Sequence, residues 1–159
     1  MGIIDSDSFA HRDWEQESCS IVLRMSSSWV RVGTFEFFAR SRDKETISQL
    51  ADYVIKQSYP HLENEENKYE KMFYSLVDKT AELLAKWQVY GFQHGVMNTD
   101  NFSVAGLTID YGPYAFMDYF EKNSICNHSD EEGRYSYNNQ PYIAKWNLFA
   151  LIGALKLIC

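Results

Sequence analysis

The sequence predicts an α+β chain, mostly helical. Three observations predict it. Apolar or aromatic side chains at Tyr69, Met72, Phe73, Leu76, Val77, Leu83, Leu84 and Trp87 recur at three- and four-residue steps, the period of one helix face. Two shorter stretches, residues 46–57 and the segment from Pro141 onward, carry helix-start signals and apolar positions to bury. Between these lie brief runs of strand-forming residues at 21–25, 29–32 and 102–109.

Composition supports a globular chain and narrows its partners. The 159 residues suffice for one ordinary domain with a core, and 45% are hydrophobic. Net charge is −7 with no block of Lys or Arg, which argues against nucleic acid, whose phosphates need a basic patch. Cys19, Cys126 and Cys159 are odd in number and lack metal-ligand spacing, so they read as reduced thiols. Cys126 and His128 alone do not make a tetrahedral zinc site. No apolar run reaches a membrane span, since the best candidate, 147–159, is short and contains Lys156. Met1-Gly2 with Ser6 formally matches a myristoylation pattern, a short motif with many chance matches. With no secretory or transit signal, the expected compartment is cytoplasmic or mitochondrial.

In chain order, residues 1–20 are polar, acidic and aperiodic, and read as a mobile lead-in. Residues 21–25 and 29–32 read as two strands joined by a turn at Ser26-Ser27-Ser28, with Arg24 and Arg31 placed one on each. Such arginines either face solvent or use their forked guanidiniums to clamp phosphate. The aromatics of 33–38 are expected in the core. Thr46-Ile47-Ser48-Gln49 is a capping-box pattern opening a helix with Ile47, Leu50, Ala51 and Val54 on one face, and Tyr59-Pro60 ends it. An acidic stretch, 63–67, leads into the longest helix, which ends near Tyr90-Gly91. The aromatics Tyr114, Phe116, Tyr119 and Phe120 read as packed, and 126–140 as a polar loop. The last helix offers Ile143, Trp146, Ala150, Leu151 and Leu155 to bury.

The long helix delivers the chain into His94-Gly95-Val96-Met97-Asn98-Thr99-Asp100-Asn101, followed by Leu107-Thr108-Ile109-Asp110-Tyr111-Gly112. The apolar run between them, broken at Ala105-Gly106, reads as a two-stranded hairpin that would bring Asn101 and Asp110 face to face. An amide oxygen and a carboxylate together suit a hard cation such as Mg²⁺. Phosphoryl-transfer sites hold their metal with a comparable Asn and Asp. Asp, Asn and Gly are equally the residues of plain turns.

The runs 91–101 and 107–113 closely resemble the selenoprotein O/YdiU family. So do Ile125-Cys126-Asn127-His128-Ser129-Asp130, Gly133-Arg134-Tyr135-Ser136 and Asn139-Gln140-Pro141. The resemblance runs from about Arg24 to the end, with several long motifs in order. It implies a protein-kinase-like fold, here partial: the end of the N-lobe strands plus C-lobe helices and a catalytic-loop hairpin, spanning 21–159. It implies a protein adenylyltransferase that moves AMP from ATP to Ser, Thr or Tyr hydroxyls of proteins. Asp100 would be the proton acceptor, Arg24 and Arg31 would contact ATP phosphates, and Asn101 and Asp110 would hold Mg²⁺ or Mn²⁺, with Asp110 also serving ATP binding. In that family ATP is understood to bind flipped, so that the α-phosphate meets the nucleophile. Val96 occupies the place where a conventional kinase carries its base, which disfavours ordinary γ-phosphoryl transfer. The eight glycines form no G-x-G-x-x-G cluster, and no strand shows the expected phosphate-pairing lysine. A fragment lacking the N-terminal lobe is therefore expected, inactive alone. The alternatives are a nucleotide-binding or interaction fragment without activity, and a kinase-like phosphotransferase.

Overall fold

A computed structural model of the chain describes residues 2–12 and 15–159. Its elements in order are β1 (Gly2–Arg12), β2 (Glu15–Leu23), α1 (Val32–Arg40), α2 (Lys44–Ser58), α3 (Lys68–Tyr90), β3 (Phe92–Gln93), β4 (Ala115–Phe116) and α4 (Gln140–Leu155). The result is a mixed α/β chain with four helices and two small antiparallel sheets among the described residues. Among the described residues no helix is long and apolar enough to cross a membrane.

The core lies where α1, α2, α3 and α4 meet. Phe35, Ile47, Ala51, Val54 and Leu151 are fully buried there, with Met72, Leu76, Met97 and Val104 nearly so. A side chain such as Leu151 contributes about 1.5–3 kcal/mol by leaving water. Helix α2 starts one turn before the expected capping box. Asp43 is its N-cap and accepts from the Thr46 amide, because a carboxylate offers the orphan N–H groups a stronger acceptor than a hydroxyl does. Tyr59 ends the helix, and Pro60, which has no N–H, starts a separate short turn. Helix α3 buries Met72, Leu76, Thr80, Leu84 and Trp87 and stops at Gly91, whose φ of 66° is the left-handed cap.

Several expectations are corrected by how the chain pairs. The expected lead-in forms most of a β-ribbon, Gly2 opposite Leu23 and Arg12 opposite Glu15 (residues 1, 13 and 14 lie outside the described part). Neither face of the ribbon is buried, so no alternating pattern marked it. Residues 21–23 consequently pair with 2–4 and not with 29–32. The second of those stretches instead lies against 102–104: Arg31 bridges Ser103, Val32 N–H donates to Phe102, and Val104 N–H donates to Val30. This partner also removes the expected hairpin at 102–109, since the backbone of Phe102 and Val104 is already engaged. Residues 33–38 are helical, with Phe35 buried and Phe37 exposed. Phe116, Tyr119 and Phe120 are largely exposed, not packed, and Tyr114 is half-exposed. On α4 the buried set is Gln140, Ile143, Ala144, Asn147, Leu151, Ala154 and Leu155, while Trp146 is partly exposed and Ala150 half-buried.

Candidate nucleotide and metal site

Strand β3 carries the chain from the end of α3 into the loop at 94–101, and that loop is fastened from beneath by α4. Gln140 accepts from the His94 backbone N–H at 2.9 Å and donates to the Phe92 carbonyl at 3.0 Å. Asn147, two helical turns on, donates to the Met97 carbonyl at 2.8 Å. Both amides are fully buried, where an unmade hydrogen bond is costly, so loop and helix hold one another in place. From the outer side Asn127 donates to the Gly95 carbonyl. The 126–140 segment thus braces the loop.

His94 is buried against Trp87, with ring centroids 5.5 Å apart. Its Nε2 lies 2.8 Å from the Ile109 carbonyl, an acceptor only, so Nε2 carries the proton. Burial holds the imidazole pKa below its usual value, which keeps the ring neutral. His94 therefore pins the backbone immediately before Asp110. Asp110 itself has φ of 55°, a left-handed conformation unusual for a side-chain-bearing residue and one that marks a locally strained position.

Asp110 faces Arg31. The guanidinium meets both carboxylate oxygens, Nε to Oδ2 at 2.8 Å and Nη2 to Oδ1 at 2.9 Å. This fork holds the Asp110 pKa below the ordinary carboxylate range and raises that of Arg31. Both side chains are about a third exposed, so such a pair is worth about 1 kcal/mol. Arg24 adds positive charge near Asp110 and sits 5.6 Å from the centre of the Tyr111 ring. Its Nη1 is buried without a hydrogen-bond partner, a donor left for an anion. Arg24, Trp29, Leu107, Tyr111 and Tyr114 line an open cleft of about 830 Å³, large enough for a nucleotide.

Asp100 is exposed at the short turn of residues Thr99–Asn101 and lies over the first turn of α1, at the positive end of that helix. The approach requires Gly33, because a Cβ there would come within 2.1 Å of Asp100 Oδ1. Thr99 donates to Glu36 at 2.8 Å and ties the same turn to α1. The negative charge of Asp100 is felt by Arg31. Asn101 spends its amide nitrogen on the Val96 carbonyl, so only Oδ1 could serve a cation there.

The structure thus pairs Arg31 with Asp110 and sets Arg24, which lines the cleft, close enough to add its charge to them, with Asp100 nearby; it does not form the hairpin expected to set Asn101 against Asp110. No cluster of three or more His, Cys, Asp or Glu side chains forms a metal cage among the described residues. A carboxylate oxygen on Asp110 and an amide oxygen on Asn101 are nonetheless the right donors for Mg²⁺, which keeps waters and phosphate oxygens for its other positions. Gln140, Asn147, Gly33 and Glu36 were not anticipated. A signal existed for two: Gln140 and Asn147 are seven apart on the buried face of α4, where a polar residue needs a specific partner.

The model of the family described as "Protein adenylyltransferase SelO" matches residues 1–159. A protein nucleotidyltransferase YdiU from Pectobacterium carotovorum subsp. carotovorum (strain PC1) is 50% identical over 142 residues, which is 89% of this chain and 29% of that protein. The chain therefore spans under a third of the length of this relative. With the match covering every residue, this chain belongs to the SelO protein adenylyltransferase family.

Proposed function

We propose that the chain carries part of the catalytic site of a protein adenylyltransferase, with residues 21–159 contributing to a kinase-like domain. The observation that carries this reading is the grouping of Arg24, Arg31, Asp110 and Asp100 as charged neighbours, with Arg24 lining a nucleotide-sized cleft. Arg24 and Arg31 would bind ATP phosphates, the first through its unpartnered Nη1. Asn101 and Asp110 would hold Mg²⁺ or Mn²⁺, which when bound supplies charge neutralisation for the phosphates. Asp100, exposed to an incoming protein, would take the proton of a Ser, Thr or Tyr hydroxyl as its oxygen attacks the α-phosphorus. The phosphorus–oxygen bond to the β-phosphate breaks, and pyrophosphate leaves. Val96 at the position of a kinase base supports attack at the α- over the γ-phosphorus.

Alone, residues 1–159 would bind nucleotide without turning it over, because they hold no Gly-rich loop or phosphate-pairing lysine to clamp the other side. The test grafts residues 1–159 in place of the matching segment of the Pectobacterium relative and supplies labelled ATP with Mg²⁺. Label from α-³²P-ATP should reach protein, label from γ-³²P-ATP should not, and Asp110→Ala should abolish transfer. The reverse labelling pattern would establish a kinase. Binding with no transfer of either label would leave a nucleotide-binding module.

A further inference from the structure

We propose that Arg31 makes Asp110 select a metal–nucleotide complex over a bare divalent cation. This rests on the reading of Asp110 as a metal ligand. The fork of Arg31 occupies both Asp110 oxygens at 2.8 and 2.9 Å, so a cation arriving alone must compete with a cation already in place. The pair is preorganised from both sides. Arg31 is anchored by its bridge to Ser103 and by Val32 N–H on the Phe102 carbonyl. Asp110 is anchored by His94 on the Ile109 carbonyl and by its left-handed backbone. Neither partner has to be recruited, and the guanidinium closes the carboxylate at little entropic cost.

Phosphate changes the balance. Arg24, which lines the cleft and whose Nη1 has no acceptor, is the ready anion contact, and Arg31, held on Asp110, is the contact that must be released. A metal–polyphosphate brings an acceptor for the Arg31 fork and a cation for Asp110 in one event. The two ion pairs exchange partners without leaving either charge bare. Bare metal brings only half of that exchange.

The experiment titrates Mn²⁺ alone into residues 1–159 and reads free Mn²⁺ by electron paramagnetic resonance. Arg31→Gln should bind bare Mn²⁺ roughly five-fold more tightly than the wild type, the scale of one partly exposed ion pair. The gain should vanish in Arg31→Gln/Asp110→Asn. Equal bare-Mn²⁺ affinity in wild type and Arg31→Gln overturns the proposal, as does a gain that survives Asp110→Asn. A second measurement needs no variant at position 31: the Nε–H resonance of Arg31 in the wild type should hold steady with Mg²⁺ alone and shift with Mg²⁺ plus a non-hydrolysable ATP analogue. A resonance that stays put with both overturns the exchange. If Asp110→Asn still abolishes binding of Mn²⁺ with the analogue, the metal assignment stands and the exchange alone has failed. If that variant binds the complex normally, both fall together.

Discussion

A methyl group at Gly33 would sit 2.1 Å from Asp100 Oδ1, so Gly33→Ala must push that carboxylate away. Alanine is otherwise the better helix residue by about 1 kcal/mol, and the displaced side chain is exposed, so thermal stability should stay within that margin. AMP transfer by the grafted protein should fall at least tenfold, as for a misplaced general base. Transfer at the wild-type rate would remove Asp100 from the chemistry. His94 gives a second residue-level expectation. Its folded pKa lies below the unfolded value of 6.5, so the unfolded chain takes up the proton first on acidification. Stability is full above pH 6.5 and declines as pH falls from 6.5 towards the folded pKa. Carboxylates with lowered pKa, such as Asp110 and Glu65, act only from about 4.5 down. Urea midpoints should therefore drop between pH 6.5 and 5 in the wild type and stay flat in His94→Leu.

Helix α4 is where a single amide serves two elements. Gln140→Ala would leave the His94 N–H and the Phe92 carbonyl buried without partners, at a cost of about 2–4 kcal/mol in urea unfolding. A loss under 0.5 kcal/mol would mean that the loop keeps its shape without the helix. Helices α2 and α3 were readable from the sequence because each buries one regular face and stops at Pro60 or Gly91, whereas α1, short and beginning inside an expected strand, was not. The strands were not. Residues 29–32 and 102–104 each look ready to pair locally, and they pair with each other across some seventy residues, which no local pattern encodes. Of the site, the resemblance named Arg24, Arg31 and Asp110, and the structure sets Arg31 on Asp110 with Arg24 close by. The ion pair that joins two of them was not foreseen, since a phosphate clamp and a carboxylate clamp use the same guanidinium.

Across the whole molecule, the β1–β2 ribbon stands out because Ile3, Ile4, Phe9, Ile21 and Leu23 are each more than 60% exposed. That apolar surface should make residues 1–159 self-associate with rising concentration. Light scattering should show the association, and the triple variant Ile4→Thr, Ile21→Thr, Leu23→Thr should reduce it while changing stability by no more than about 0.5 kcal/mol. An unchanged scattering profile would place the sticky surface elsewhere. The amides beneath the loop carry a consequence for the order of events during synthesis. His94 waits 46 residues for Gln140, and Met97 waits 50 for Asn147. A ribosome adding roughly 5–20 residues per second leaves that segment without its support for seconds after it emerges. Helices α2 and α3 can already be wound in that interval, since their contacts are local. The loop at 94–101 is thus among the last parts of the chain to acquire its shape, and a nascent chain stopped before Asn147 should bind no nucleotide however well its helices have formed.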